Sequence, residues 1–285
     1  MIILDGSMGN ELLKRTNKPS SGLWSAQFLI DHPNLVKEVH QAYVDVGAQV
    51  ITTNTYSTIP SYLEKENKTH LMKDLIKKAG AIAREVADAN NQEILVAGSL
   101  PPLDESYRPD LVPEEKESIP IYEELIEELN AYVDIFLCET VSSIEETSNI
   151  LKAVKNKAKQ DKKIWLSWTL LEDKSCTLRS KETIEEAFQL AESFNPDAYL
   201  FNCTYPIAIT EGIKRLSKLT EKPIGCYPNV FGVPFDWTLD NDVQVEPRNL
   251  SVEQFVEYKN LWEDLGASII GGCCGLGPEY IKAVS

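Results

Sequence analysis

The chain has 285 residues, 43% of them hydrophobic and 25% charged; that is too long for a minimal domain and suits one large α/β barrel, which takes roughly 250 residues. Its 28 lysines and arginines against 44 aspartates and glutamates leave a net charge of −16, which argues against wrapping nucleic acid or docking on an anionic membrane, since both need basic surface. No run approaches the roughly 20 apolar residues that cross a bilayer, and the start Met1-Ile2-Ile3-Leu4-Asp5-Gly6 lacks the basic and apolar regions of a signal peptide. The expectation is therefore a cytoplasmic protein with small-molecule partners, whose six cysteines stay reduced.

Short β-rich runs alternate with helical stretches along the chain. The predicted strands cover residues 2–5, 49–53, 94–99, 134–138, 164–168, 198–202, 223–227 and 267–271. Most lack strict alternation, as strands buried on both faces should. Between them lie amphipathic helices, one carrying Leu71, Leu75, Ala79, Ile82 and Val86 at helical spacing. Ser143 with Glu146 and Ser251 with Gln254 have capping-box spacing, and Pro278 suits the first turn of a last helix. Eight strand–helix units predict a (β/α)8 TIM barrel, of the α/β class, as a single domain over residues 1–285. The rival is an open doubly wound sheet, but no Gly-x-Gly-x-x-Gly turn follows the first strand. Two irregular stretches, 101–120 after strand three and 228–247 after strand seven, fall where barrel loops carry function.

Cys203 ends strand six in Phe201-Asn202-Cys203, and Cys273 and Cys274 follow strand eight in Gly271-Gly272-Cys273-Cys274-Gly275. In a barrel, strand ends of one polarity meet on one face, so three thiols far apart in sequence can converge. Three thiolates are a soft ligand set that favours zinc, and three protein ligands leave the open position of a catalytic site. None of the three histidines, His32, His40 and His70, lies near these cysteines in sequence. A substrate thiol bound at such a metal would lose its proton and become a nucleophilic thiolate. Cys138, Cys176 and Cys226 read as small buried hydrophobes.

The chain resembles the homocysteine S-methyltransferases over almost its full length. The resemblance rests on Leu4-Asp5-Gly6-Ser7-Met8-Gly9, Thr52-Thr53-Asn54-Thr55-Tyr56, Glu139-Thr140, Asn202-Cys203, Tyr227-Pro228-Asn229 and Gly271-Gly272-Cys273-Cys274. It implies that Cys203, Cys273 and Cys274 bind zinc and that Glu139 accepts the amino group of homocysteine. It further implies that Asp5 and Gly6 shape the amino acid and sulfur pocket, which Thr53, Asn54 and Asn229 line. A carboxylate such as Glu139 after a buried strand is costly unless paired, and a substrate ammonium would pair it. Asp5 before Gly6 also reads as a plain turn former.

The implied reaction is methyl transfer to homocysteine, giving methionine, from S-methylmethionine or S-adenosylmethionine; betaine or another thiol acceptor is the alternative. The expected short form carries no cobalamin or folate module. Ser99-Leu100-Pro101-Pro102-Leu103 and Val230-Phe231-Gly232 depart from the family's usual loops, where the donor should sit. Trp24, Tyr56, Tyr107 and Trp237 are placed either to face a cationic donor or simply to pack. A reading from another class, a non-catalytic zinc or redox-sensing barrel switching at Cys273-Cys274, needs no amino acid pocket and so leaves Asp5 and Glu139 without a role.

Overall fold

The computed structural model describes residues 1–16, 22–173, 175–234, 237–238 and 243–285. Its strands are β1 (Ile2–Ile3), β2 (Val50–Thr52), β3 (Leu95–Leu100), β4 (Ile135–Val141), β5 (Lys163–Trp168), β6 (Ala198–Asn202), β7 (Ile224–Tyr227), β8 (Phe231–Gly232), β9 (Glu246–Pro247) and β10 (Ala267–Ile270). Eight of them form one parallel sheet in the order β1-β10-β7-β6-β5-β4-β3-β2. A parallel bridge between Leu4 and Val50 joins the sheet's two edges, with Asp5 N–H to Val50 O at 3.0 Å and Gln49 N–H to Ile3 O at 2.8 Å. The predicted (β/α)8 barrel is therefore the observed fold, and all eight predicted strands are present.

Side chains alternate across each strand, which splits the core in two. Leu4, Val50, Ala97, Ile135, Leu137, Trp165, Ala198, Leu200, Tyr227 and Ile269 fill the barrel interior, while Phe136, Cys138, Leu166, Trp168, Tyr199, Phe201 and Cys226 pack outward under the helices. The same alternation carries Ser99, Glu139, Ser167 and Asn202 inward as a polar layer above the apolar one; Ser99, Ser167 and Asn202 are fully buried. Function belongs at this carboxyl end of the strands.

The local signals fare unevenly. Ser251–Gln254 forms the expected capping box, and Thr183–Glu186 forms a further one. Ser143 caps Glu146 N–H at 3.0 Å, but the Glu146 carboxylate turns to Ser142 N–H and Oγ, at 2.7 and 2.8 Å, so the reciprocal half is missing. Pro278 opens the last helix, Pro278–Val284. The stretch 101–120 is less irregular than expected: a helix starts at Glu115 and runs to Leu129 through Pro120. Pro120 lies in its second turn, so only one backbone donor near the helix start is lost. Within 228–247, β8 and β9 form a small antiparallel hairpin; residues 235–236 and 239–242 of that stretch lie outside the described residues. Among the described residues no helix is long and apolar enough to cross a membrane.

One buried group sets a pH limit on this fold. His40, in helix Pro33–Asp45, is fully buried, with neither ring nitrogen partnered, and burial lowers its pKa from 6.5 to about 4. As pH falls below 6.5 the unfolded chain takes up a proton that the folded chain refuses until about 4, so stability drops across that window. His40→Leu should raise stability near neutral pH by roughly 1–3 kcal/mol, the cost of orphaned buried polar groups, and flatten the decline between pH 6.5 and 4. Urea unfolding at several pH values checks this; an unchanged pH slope in the variant would refute it.

Candidate active site

Cys203 directly follows β6 and takes the left-handed conformation, φ 47°. Its N–H donates to Tyr227 O at 3.2 Å, while Cys273 N–H donates to Pro228 O at 2.7 Å and Val230 N–H to Cys274 O at 3.2 Å. The loops after β6, β7 and β10 are thus laced together by backbone hydrogen bonds. The Cys273-Cys274 turn depends on two glycines. Gly275 has φ 85°, which an L side chain rarely adopts, and a Cβ on Gly272 would stand 2.7 Å from Leu276 Cβ. Asn10, on helix Met8–Thr16, holds the turn from the far side by accepting from Gly275 N–H at 3.2 Å and from Ser7 Oγ at 2.6 Å.

The sulfurs of Cys203, Cys273 and Cys274 lie within 4.8 Å of one another, and those of Cys203 and Cys274 are 4.0 Å apart. Zinc–sulfur bonds of about 2.3 Å at tetrahedral angles put ligand sulfurs roughly 3.8 Å apart, so the trio fits such an ion when its thiols are free. The structure pairs Cys203 with Cys273 as a disulfide, with Cα atoms 5.7 Å apart. This differs from the expectation of six free thiols, which holds for Cys138, Cys176, Cys226 and Cys274. Two thiols delivered to the same point by β6 and β10 come close enough to bond. Disulfide and metal centre use the same sulfurs and are alternatives. Cys138, Cys176 and Cys226 stand apart as buried core residues.

Two carboxylates enter the same cavity. Glu139 accepts from Ser99 Oγ and from the Tyr227 hydroxyl at 3.3 Å; burial pushes its pKa up to about 7 against those hydrogen bonds. Asp5 accepts from Thr52 N–H at 2.7 Å and Thr52 Oγ1 at 3.0 Å. Burial raises it to about 7 as well, opposed by Thr52 and assisted by the charge of Glu139. Burial, then Glu139, also pushes the Cys274 thiol up to about 11. Among the described residues the cavity lining includes no lysine, arginine or histidine.

The cavity, about 390 Å³, brings together all nine predicted site residues: Asp5, Gly6, Thr53, Asn54, Glu139, Cys203, Asn229, Cys273 and Cys274. Their polar atoms are not equally free. Thr53 Oγ1 bonds Thr55 Oγ1 at 2.8 Å and accepts from Ser99 N–H at 3.0 Å, and Asn54 Nδ2 donates to Ser25 O at 3.0 Å, so both brace loops. Asn229, 1% exposed, has both amide atoms unpartnered. A buried amide left so is costly, and its place in the lining makes a ligand the natural partner. Trp24, Tyr56, Tyr107 and Trp237 all line the cavity. Tyr107 meets Trp237 edge-on at 5.7 Å, and Tyr56 bonds Ser106 at 2.6 Å. Tyr107 and Val233, with Trp237, pack directly on the cysteines.

Sequence reasoning missed the groups that hold the site in place. Ser99, which bonds Glu139, was visible only as a polar residue on the inward period of β3, whereas Asn10, which braces the cysteine turn, acts from a helix with no local signal.

Comparison with known proteins agrees with this geometry. A family model described as homocysteine S-methyltransferase matches residues 2–285. "Homocysteine S-methyltransferase YbgG" of Bacillus subtilis is 27% identical, covering 100% of this chain and 93% of its own length. The homocysteine methyltransferase MmuM of Escherichia coli is 27% identical in its metallated form, with TM-score 0.83 over 100% of this chain and 95% of that one. Its oxidized form, also 27% identical, superimposes with TM-score 0.84 over 100% and 94% of the two chains. With a family match that spans the barrel from β1 to the last helix, this chain is a methyltransferase that belongs to the homocysteine S-methyltransferase family.

Proposed function

We propose that this enzyme moves a methyl group from a cationic sulfonium donor, S-methylmethionine before others, to the thiol of L-homocysteine, forming methionine, with zinc held by Cys203, Cys273 and Cys274. The observation that carries this reading is one cavity lined by three convergent cysteines, two buried carboxylates and an aromatic wall, with no cationic side chain among its described lining residues. When bound, zinc would supply the Lewis acid that ionises a thiol at neutral pH.

The remaining work falls to the chain's own residues. Glu139 and Asp5, both raised to about 7 by burial, receive the homocysteine ammonium, which supplies the countercharge they lack. The free donor and acceptor atoms of Asn229 suit the amino acid end of a substrate. Tyr107, Trp237 and Val233 lie against the cysteines, where all three exclude water and the rings of Tyr107 and Trp237 offer aromatic surface to a positive methyl donor. The homocysteine sulfur forms the new carbon–sulfur bond while the donor's carbon–sulfur bond breaks. That bond pair stays on the departing neutral thioether, so no acid is needed. Holding the two partners in line supplies much of the rate.

The charge of the cavity bears on the donor. Betaine is net neutral, whereas S-methylmethionine and S-adenosylmethionine carry one net positive charge at pH 7. Two buried carboxylates with no cationic side chain beside them favour the net cation.

Three measurements test this reading. Metal analysis of the reduced protein should find about one zinc per chain, lost in Cys203→Ser, Cys273→Ser and Cys274→Ser and kept in Cys176→Ser; full zinc in the Cys274→Ser chain would overturn the ligand set. Glu139→Gln should keep its zinc but bind homocysteine more weakly by about 1.5–3 kcal/mol, the worth of a charge-assisted partner. Calorimetric titration reads the difference, and unchanged affinity would remove Glu139 from the substrate site. With methyl-labelled donors in competition, label should reach methionine faster from S-methylmethionine than from betaine; label arriving from betaine alone would reverse the donor assignment.

A further inference from the structure

Arg179 is the most buried charged side chain that the reaction above does not use. It is 2% exposed and sits in the loop after β5, where bridges Leu170–Leu178 and Thr177–Thr183 and a hydrogen bond from Ser180 N–H to Ser142 O at 3.1 Å fix its backbone. Its Nη1 and Nη2 both donate to Val233 O at 3.1 Å, and Nη2 also donates to Pro234 O at 3.0 Å. Its guanidinium carbon lies 5.4 Å from the centroid of the Tyr107 ring. Glu172, from the same loop, takes the other side of the same residue: its Oε2 accepts from Val233 N–H at 3.2 Å and pairs with Arg248 Nη1 at 3.0 Å.

Desolvating a guanidinium is expensive, and here its hydrogen bonds go to two successive backbone carbonyls rather than to a carboxylate. Such an arrangement fixes a loop in space. The loop it fixes carries Val233, and the ring it covers is Tyr107; both pack on the cysteines together with Trp237. Asp5 and Glu139 are not among its partners.

We propose that Arg179, seconded by Glu172, is a positioning and specificity-determining residue for the methyl donor: it sets the Tyr107–Val233–Trp237 wall at the distance from the cysteine sulfurs at which a small sulfonium fits. The inference rests on the reaction proposed above. It assigns donor selection to a side chain outside the cavity lining, acting through the backbone of residues 233–234 and the ring of Tyr107.

The test compares reduced, zinc-loaded parent, Arg179→Met and Arg179→Lys, measuring homocysteine affinity by calorimetry and KM and kcat for S-methylmethionine. Arg179→Met should raise donor KM at least 10-fold and narrow the preference for S-methylmethionine over betaine. Its kcat should fall less than 3-fold, while zinc content and homocysteine affinity stay within 2-fold. Arg179→Lys, which keeps one donor for the carbonyls, should recover part of the loss. Should Arg179→Met fold poorly, Glu172→Gln releases the same segment from its other side and should shift donor KM in the same direction. Amide exchange over residues 231–233 should accelerate in each variant. Parental donor KM in Arg179→Met, or losses of zinc and homocysteine affinity in step with donor KM, would overturn the proposal. An inactive parent would instead refute the proposed reaction, so the two failures are distinguishable.

Discussion

The side-chain amide of Asn202 is the constraint on which the site depends. Its Oδ1 accepts from Thr140 N–H at 2.9 Å and Ser167 Oγ at 2.7 Å, and its Nδ2 donates to Thr140 Oγ1 at 2.8 Å. One buried amide thereby ties β4, β5 and β6 at their carboxyl ends. The tie falls where β4 slips register between Cys138 and Val141 and where Thr140 is left-handed, φ 60°. A left-handed non-glycine residue costs on the order of 1–3 kcal/mol and persists only where its surroundings over-determine it. Three hydrogen bonds from a fully buried side chain meet that requirement. Glu139 precedes the constrained Thr140 and Cys203 follows Asn202, so the same amide orients a carboxylate and a cysteine.

Left-handed backbone recurs around the cavity, at Trp24 with φ 47°, Tyr107 with φ 69° and Cys203 with φ 47°. Each bends the chain so that a side chain from a strand end or loop turns over the barrel mouth. Strain of this kind is invisible in sequence, because none of these residues is a glycine or an asparagine. That is why the strands were legible and the local geometry of the site was not. The barrel followed from eight apolar runs at regular spacing, and Cys203, Cys273 and Cys274 from their positions just past strand ends. The helix from Glu115 was hidden by Pro120, and the β8–β9 hairpin by its two-residue strands. The burial of Arg179 arises from tertiary contacts between two loops, which no local pattern reports.

Electrostatics gives the cavity its direction. Asp5 and Glu139 are each buried and each raised to about 7, and their charges oppose one another. The hydroxyls of Ser99, Tyr227 and Thr52 can share their negative charge but cannot neutralise it. Burial favours the protonated form of each, and a cation arriving between them would favour the ionised form, so binding of a positive ligand and release of these protons are coupled. The acidic surface of the chain, net −16, acts in the same sense but is screened within about 8–10 Å at physiological salt. The local pull on a positive charge therefore comes from the buried pair rather than from the surface.

The two halves of the cavity are built by different means. The cysteine half is held by backbone hydrogen bonds among the strand-end loops, from Cys203 to Tyr227, Cys273 to Pro228 and Val230 to Cys274. Any change there moves three sulfurs at once. The aromatic half is held by side chains reaching across loops, Arg179 and Glu172 to Val233 and Tyr56 to Ser106. Such contacts can be exchanged one at a time without disturbing the strands. In the proposed reaction the first half handles the thiol and the second the donor. Of this chain's unusual segments, Val230 to Gly232 touches the cysteine half through Val230 N–H to Cys274 O and leads into Val233 of the aromatic half, while Ser99 to Leu103 begins at the hydroxyl that bonds Glu139. On the proposed reaction, donor choice rests on side-chain contacts between loops, and the thiol chemistry on the ends of the strands.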